Sequence, residues 1–365
     1  MRIVSRYLLR EFLGPLFACL VSFNAIFVLF DLFGHLSRFL DADLPLPLVL
    51  RFYAGVVSFY SAWFIPASCM LATLYTMWRL SHHSEITAMR ASGISFHRLT
   101  LPFFLVALAM ALLSFANSQW VVPVAAEWSD RLKASAFRPE EPGPSLNHLF
   151  MNARSRRTWV FDSVDAESPE GFAHATNGVR ITHDTLGVND WGVRADRAEW
   201  LDGVWWLENP RILSFDIDGE ELSAAAAPPP PLPASMPFPD FDETPRDMFL
   251  ATRSWDHLGA TDMARRIRVQ GRDDPEKRFE FWYRLAAPWA CLVITLFSIP
   301  AGITTGRQSV FTGVLLALGT FFGFYALTLV LEFAGQHGYV PAAVAAWTPD
   351  AVFLVFGIFL YRRLT

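Results

Sequence analysis

The chain has 365 residues, of which 53% are hydrophobic and only 18% are charged. A soluble domain carries about 25% charged residues, so this composition excludes a purely soluble enzyme and a disordered chain. Residues 121–281 hold 18 basic and 28 acidic residues, whereas the remainder of the chain is slightly basic. A nucleic-acid-binding protein would need a basic surface, so no nucleic-acid partner is expected. The pattern indicates one acidic, water-facing block between two apolar segments.

Six stretches of the sequence are long and apolar enough to cross a bilayer, which takes about 20 residues. The predicted spans are 13–30, 52–78, 101–122, 285–303, 310–331 and 343–361. Arginines precede the first span, follow the sixth, and lie between the second and third and between the fourth and fifth. Because basic residues favour the cytoplasmic side, we expect both termini in the cytoplasm and the acidic block outside it.

The acidic block has the pattern of a β domain. Short runs of β-branched and aromatic residues predict strands at 158–161, 179–182 and 211–218. Asp202 and Gly203 lie between apolar flanks and predict a two-residue hairpin turn. The proline-rich segment 224–245 predicts an extended linker, because proline lacks the N–H that a sheet interior requires. Helical periodicity returns at 261–269.

These patterns predict an α-helical membrane protein with six transmembrane helices, three on each side of an inserted all-β domain. We expect domain boundaries at 1–122, 123–281 and 282–365, with a short cytoplasmic helix at about 84–92. The sequence has no G-x-x-x-x-G-K-[ST] phosphate loop, so ATP used by this protein must be hydrolysed by another chain. No cofactor, metal site or catalytic residue is predicted.

The loop between the second and third spans carries the sharpest local signal. Ser81 or Ser84 is a candidate N-cap for a short helix, Glu85 suits the positive helix N-terminus, and Gly93 suits a left-handed helix end. One side of this helix has a protruding apolar side chain beside small residues, and such a surface fits a groove on a partner protein. The alternative is a helix that lies on the lipid surface. The residues on that side are Ile86, Met89 and Arg90.

Two polar residues near the outer end of the first span are candidates for lipid contact. Asp31 faces either the bundle interior or the outer interface, and both placements stay open. Arg38 is long enough to reach an anionic headgroup at the outer surface.

Local motifs in this layout resemble the LptF/LptG (YjgP/YjgQ) family of lipopolysaccharide export permeases. The resemblance covers nearly the whole chain, and an LptG-like member is slightly favoured. The matching segments are 6–8, 65–66, 84–93, 197–200, 203–205, 284–288 and 347–349.

The resemblance implies a jellyroll-like periplasmic domain and a permease without an ATPase site of its own, located in the inner membrane. The implied partners are a dimeric ABC ATPase, a second LptF/LptG-type permease and periplasmic bridge proteins. The implied cargo is lipopolysaccharide or a related glycolipid, which the permease extracts from the membrane. The segment 84–93 would be the ATPase-coupling helix. Its candidate coupling residues are Glu85, Ile86, Met89, Arg90 and Gly93.

If the outward domain is a lipid conduit, its strands should present apolar side chains to an open groove. Apolar side chains suit a closed core equally well, so the choice between groove and core stays open. Two other function classes also stay open at this stage: a polytopic membrane enzyme acting on lipid or glycan, and a membrane-anchored scaffold. The lipid-path candidates are Asp31, Arg38, Trp159, Phe161, Val179, Ile181, Trp205 and Leu213.

Overall fold

The structure is a computed structural model that divides the chain into two compact units. The membrane unit comprises Met1–Phe137 and Asp274–Thr365, and the β domain comprises Arg138–Asp273. The described residues are 2–41, 45–126, 128–129, 145–164, 169–175, 178–185, 188–215, 232–255, 258–270, 274–303 and 310–363.

The described residues of the first half of the membrane unit include three long helices and one short one. A π-helical turn, Asn117–Val121, directly follows the last of them. Pro15, Pro66 and Pro102 lie inside the long helices, which membrane helices tolerate better than soluble ones because neighbouring helices satisfy the freed backbone groups. The helices are α1 (Arg2–Asp41), α2 (Leu46–His82), α3 (Glu85–Ala91) and α4 (Phe96–Ala116).

Where the structure describes it, the β domain has two antiparallel sheets and three helices, α5 (Pro169–Ala173), α6 (Pro245–Thr252) and α7 (Ala260–Gln270). The five-stranded sheet has the order β1-β2-β4-β5-β8, and the four-stranded sheet has the order β3-β6-β7-β9. The strands are β1 (Ser145–Asn152), β2 (Arg157–Val164), β3 (His174–Ala175), β4 (Val179–Thr185), β5 (Val188–Ala195), β6 (Arg197–Leu201), β7 (Val204–Glu208), β8 (Arg211–Ser214) and β9 (Ser235–Phe238).

The predicted hairpin at Asp202 and Gly203 is confirmed between β6 and β7. Both residues have positive φ, 50° and 83°, as a type I′ turn requires. The sequence predicts that the segment 224–245 is an extended linker. Within its described part, Ser235–Phe238 instead forms strand β9, which pairs with β7. β9 is an edge strand, and an edge accepts prolines such as Pro237 whereas a sheet interior does not.

The second half of the membrane unit begins at Asp274, and its first helix begins at Pro275, so residues 275–281, expected in the outward domain, lie in a helix of the membrane unit. This helix continues through a 3₁₀ turn, Ala287–Trp289, into α9. The helices are α8 (Pro275–Ala286), α9 (Ala290–Gly302), α10 (Val310–Gln336) and α11 (Ala342–Arg362).

Six helical segments within the described residues are long and apolar enough to cross a membrane, which confirms the predicted helical membrane fold. Large apolar side chains such as Phe30, Phe33 and Phe322 are exposed on these helices, as a lipid-facing surface requires. The six segments are Ile3–Ser37, Leu46–His82, Phe96–Ala126, Pro275–Gly302, Leu318–Gln336 and Ala342–Arg362.

Each unit has its own apolar core. In the membrane unit, side chains from α1, α2, α4 and α9 pack together, and the Phe12 and Phe103 rings lie 4.9 Å apart. In the β domain the core is largely aromatic, and the Trp159 and Trp205 rings lie 5.0 Å apart. Burial of such rings stabilises a fold by their large apolar area.

Candidate functional site

The short helix α3 follows α2 after two residues, His83 and Ser84. The φ angle of Ser84 is 58°, and its N–H donates to the carbonyl oxygen of Ser81 at 3.0 Å. Ser84 therefore ends α2 in a left-handed conformation, and its side chain makes no capping hydrogen bond to α3. Ser84 occupies the predicted N-cap position, and its carbonyl oxygen accepts from the Ala88 N–H at 3.0 Å, but its side chain does not cap α3. Ser81, the other predicted cap, lies inside α2.

The other end of α3 is a Schellman motif built on Gly93. Gly93 has a φ of 88°, and its N–H donates to Arg90 O at 3.0 Å. The next N–H, from Ile94, donates to Met89 O at 3.2 Å, which completes the motif. Ile94 and Met89 both pack against the core of the membrane unit. Gly93 thus ends the helix as the sequence predicts, and the apolar pair beside it anchors that end.

The inner face of α3 is buried in its own helix bundle. Ile86 is 8% exposed and lies among side chains of α1, α2 and α4, including Leu8, Leu80 and Phe103. Ile86 therefore fills the bundle and does not project towards a partner as the sequence analysis expected. The reason is that an isoleucine side chain gains about 1.5–3 kcal/mol by burial, and α1 and α4 provide a core directly behind α3.

The outer face of α3 is small, exposed and bears one cation. Thr87, Ala88 and Ala91 are exposed, as is Arg90. The Arg90 guanidinium lies 5.9 Å from the centre of the Phe96 ring, within the range of a cation–π contact. The structure thus separates the predicted coupling residues, with Ile86 and Met89 on the inner side and Arg90 on the outer side.

Glu85 lies at the N-terminus of α3 and connects this helix to α1. The Tyr7 hydroxyl on α1 donates to Glu85 Oε2 at 2.8 Å. One turn further along α1, Glu11 accepts from Arg79 of α2 at 2.5 Å. Both contacts leave side chains partly exposed, so each contributes little to stability. Together they place α1, α2 and α3 in one hydrogen-bonded arrangement.

An apolar cavity of about 660 Å³ lies between α1, α2 and α9. Gly14 and Ala18 line it from α1, and Leu74 and Trp78 line it from α2. The indole Nε1 of Trp78 is buried and has no hydrogen-bond partner among the described residues. Gly302 of α9 completes the wall, and a Cβ there would lie 2.6 Å from Met77 Cβ. The sequence analysis missed this cavity because its walls come from three separate helices.

Asp31 lies in α1 and is bound by its neighbours. The Tyr53 hydroxyl of α2 donates to Asp31 Oδ2 at 3.0 Å, and His35 Nδ1 lies 3.5 Å from the same oxygen. Asp31 is thus partly buried against α2. The side chain of Arg38 lies outside the described part of the structure.

The six lipid-path candidates in the β domain are buried in its core. Trp159, Phe161, Ile181 and Trp205 are fully buried, and the other two are nearly so. In this conformation they therefore pack against one another between the two sheets. A lipid could contact them only if the sheets separated. The other two candidates are Val179 and Leu213.

A buried carboxylate that the sequence analysis did not single out fixes the chain that follows β9. Glu243 Oε1 accepts from Asn152, from Ser155 and from Arg157 at 2.8, 2.6 and 2.9 Å. Arg157 also pairs with Asp242. The Trp205 indole donates to the Glu243 carbonyl oxygen at 2.6 Å. These contacts join both sheets to this segment, and no short-range sequence signal could have revealed them.

A second ion pair in the β domain joins α6 to α7. Arg265 donates to Asp247 at 2.5 Å, and Asp247 also forms a capping box with Thr244. Burial by itself would raise the pKa of Asp247, but the hydrogen bonds from Arg265 and Thr244 hold that pKa below its ordinary value. Within the described residues, no group of three or more potential metal ligands comes together.

Comparison with known proteins identifies the family of this chain. The family described as "Lipopolysaccharide export system permease LptF/LptG" matches residues 6–363. Relatives named "Lipopolysaccharide export system permease protein LptF" come from Escherichia coli strain K12, Escherichia coli O157:H7 and Shigella flexneri. Each is 23% identical to this chain over 379 residues, covering 98% of this chain and 94% of the relative.

The identity of 23% does not distinguish the two branches of the family, so the slight preference for an LptG-like member stays a prediction. The family consists of transport permeases and not of enzymes, which confirms the predicted class. Six membrane-spanning helices and the family assignment together describe a multi-pass inner-membrane protein. The chain belongs to the LptF/LptG family and is a permease subunit of a lipopolysaccharide export system.

Proposed function

We propose that this chain couples ATP hydrolysis on a separate ABC ATPase dimer to the extraction of lipopolysaccharide or a related glycolipid from the inner membrane. In this proposal it works beside a second LptF/LptG-type permease and passes the lipid to periplasmic bridge proteins. The observation that carries the proposal is the two-sided character of α3. Its inner face is anchored in the bundle by Ile86, and its outer face is exposed and small.

This two-sided helix suits force transmission. A docking helix must present side chains to the partner and must also be rigidly attached to the helices that move the lipid. Thr87, Ala88 and Ala91 would allow close approach of an ATPase surface, and Arg90 adds a charge at its edge. The buried Ile86 would pass any displacement of α3 to the core that α1 and α4 share.

We expect Glu85 to contribute more to ATPase binding than any other residue of α3. It lies in the first turn of α3 and is partly exposed, so a cation on the partner can reach it. The Tyr7 hydroxyl occupies only one of its carboxylate oxygens, which leaves the other for a charged partner. We infer that the Tyr7–Glu85 hydrogen bond gives the docking event a direct connection to α1.

The proposed orientation follows from the distribution of arginines. Arg6 and Arg10 lie at the start of α1, Arg90 and Arg98 lie near α3, and Arg362 ends α11. Basic residues are retained on the cytoplasmic side, so both termini and α3 would face the cytoplasm. The β domain, Arg138–Asp273, would then face the periplasm.

The apolar cavity between α1, α2 and α9 is our proposed site for an acyl chain of the transported lipid. Its volume of about 660 Å³ falls in the usual range of ligand pockets. Its lining is almost entirely apolar, and the unpartnered Nε1–H of Trp78 supplies one donor, which suits an ester or amide oxygen of the lipid. Asp31 and Arg38 remain proposed contacts at the outer end of α1.

We propose that the β domain carries lipid only in an opened conformation. Trp159, Phe161 and Trp205 pack at the centre of the closed core, and separation of the sheets would convert this core into an apolar groove. Val179, Ile181 and Leu213 would line the same groove.

The experiment that tests the coupling helix is the Glu85→Ala substitution. An exposed glutamate at a helix N-terminus contributes a few tenths of a kcal/mol up to about 1 kcal/mol. If Glu85 pairs with a cation on the ATPase, its loss should weaken ATPase binding by roughly 2–5 kcal/mol. Membrane insertion should be unchanged. Co-purification of the ATPase with the full chain measures binding. ATP-driven release of lipid by the assembled complex then measures transport.

The matched control is Glu170→Ala, which removes an exposed carboxylate from the β domain and should leave ATPase binding unchanged. Tyr7→Phe tests the connection to α1, and we expect it to retain the ATPase while lowering lipid release per ATP hydrolysed. Wild-type assembly and transport by Glu85→Ala would contradict the assignment of α3.

A further inference from the structure

A second, small cavity lies within the membrane unit, and none of its lining residues lines the apolar cavity or belongs to α3. Its volume is about 20 Å³, and its lining comes from α2, α8, the 3₁₀ turn, α9, α10 and α11. A cavity of at least about 10–15 Å³ holds one water-sized occupant. The polar groups that line it are Tyr283, Tyr325, Thr328 and Asp350.

Asp350 is the unusual member of this cavity. Its side chain is 8% exposed, and its Oδ1 has no hydrogen-bond partner among the described residues. A carboxyl group this deeply buried normally has several hydrogen bonds or a paired cation. Ionisable groups within membrane bundles are costly and mark functional sites by default. The unpartnered Oδ1 of Asp350 therefore needs a hydrogen-bond donor or a cation in the cavity.

Among the described residues no positive charge acts on Asp350, although α8 itself carries Lys277, Arg278 and Arg284. The titratable groups on which Asp350 acts are Tyr283 of α8, Cys291 of α9 and Tyr325 of α10, and Glu332 of α10 acts on Tyr283. All four are acids and are neutral or negative. Trp63 contributes the α2 wall and carries no charge. Among the described residues, no arginine, lysine or histidine acts on the Asp350 carboxylate.

Oxygen atoms around the cavity are available to an occupant. The Thr328 hydroxyl donates its proton to the Phe324 carbonyl at 2.9 Å, so its lone pairs stay free to accept. The hydroxyl groups of Tyr283 and Tyr325 lie in the same lining. A carboxylate with surrounding hydroxyl oxygens is the donor set that a hard cation takes, and it also fits a protonated carboxyl with one bound water.

We propose that the Asp350 cavity is a binding site for one small monovalent cation, which neutralises the carboxylate within the bundle. The cation is either a proton on the carboxyl group or Na⁺ held by the carboxylate and the surrounding hydroxyl oxygens. Occupancy would keep α8, α10 and α11 packed around a neutral site, and its loss would leave a bare charge that loosens them. The site does not depend on the proposed role of α3.

The test is thermal unfolding of the purified full chain in lipid nanodiscs, in NaCl or in choline chloride at equal ionic strength, over a range of pH. Sodium binding predicts a higher midpoint in NaCl than in choline chloride. Proton binding predicts a midpoint that falls as pH rises in both salts, with the folding equilibrium changing by about tenfold per pH unit while one site titrates. Either response supports the proposal and identifies the cation.

The variant Asp350→Asn removes the charge with little change of shape and should abolish the response seen in the wild type. Glu332→Gln, on the neighbouring helix, should retain it. Thr328→Val should weaken a response to sodium but not a response to pH. If Asp350→Asn does not fold, Thr328→Val takes its place in the sodium experiment. A wild type that responds to neither Na⁺ nor pH, or an equal response in wild type and Asp350→Asn, would overturn the proposal.

Discussion

The two units of this protein differ in how they surround their buried carboxylates. In the β domain, Glu243 and Asp247 are buried and bound by arginines and by neutral donors. In the membrane unit, Asp350 is buried without any described cation nearby, and the Trp78 indole faces an apolar cavity without a partner. The β domain pairs its buried carboxylates with arginines, although Glu243 Oε2, Trp159 Nε1 and Arg197 Nε have no partner among the described residues. The membrane unit leaves the Asp350 carboxyl without a described cation.

This difference separates a structural use of polar groups from a functional one. A buried charge pair fixes a segment in place, because removal of one partner leaves the other uncompensated. A buried group without a partner contributes nothing to rigidity and is retained at a cost. Where such a group lines a cavity, as Asp350 and Trp78 do, a bound ligand can supply the missing partner. Substitutions in each unit test this difference.

The largest effect is expected from Glu243→Ala in the β domain. The substitution leaves Arg157 buried without its inner partner and should lower the free energy of unfolding by about 3–5 kcal/mol. Asp242→Ala is the matched control, because Asp242 pairs with the same arginine but its side chain is 63% exposed. We expect less than about 1 kcal/mol for it. Tryptophan fluorescence during denaturant unfolding of the full chain reports both values through Trp159 and Trp205. Equal losses in the two variants would contradict the structural role of Glu243.

A smaller effect is expected when the apolar cavity of the membrane unit is filled. A Cβ at Gly14 or at Gly34 would meet nothing within 4 Å, so a larger side chain fits at either position of α1. Only Gly14 lines the cavity. Gly14→Leu should weaken photo-crosslinking to lipopolysaccharide by roughly tenfold, equivalent to about 1.4 kcal/mol, and Gly34→Leu should not. An unchanged crosslink in Gly14→Leu would exclude this cavity as the acyl-chain site.

The smallest effect is a pH dependence in the β domain. The folded pKa of Asp247 is lowered relative to its unfolded value. The unfolded state therefore binds the proton more readily, and stability from this group is present above the unfolded pKa and lost as pH falls through the folded one. Asp247→Asn should flatten the acid limb of the unfolding free energy against pH. Identical acid limbs in the variant and the wild type would show that the Arg265 contact has no linkage to stability.

The features that the sequence predicted correctly are those set by local chemistry. Composition alone determines which stretches can span a membrane. The turn at Asp202 and Gly203 needs two adjacent residues with positive φ, and the end of α3 needs one at Gly93. In each of these cases, the residues that decide the conformation are neighbours in the chain.

The features that the sequence did not reveal depend on distant residues. Whether Ile86 faces a partner or its own bundle is decided by Leu8 and Phe103, on other helices. Glu243 accepts from residues 86 to 91 positions earlier. Likewise, aromatic residues such as Trp159 suit a core or a groove equally, and the facing sheet decides between them. Periodicity contains no information about such pairings.

The central claim is that the outer face of α3 is where this permease meets its ATPase. The most direct measurement places a photo-crosslinking amino acid at Ala88, which is exposed on that face, and at Asp202, which is exposed in a β-domain turn. We expect ultraviolet irradiation of the assembled exporter to join the ATPase to the Ala88 position and not to the Asp202 position. Absence of ATPase capture at Ala88 in an assembled, active complex, or equal capture at both positions, would contradict the account.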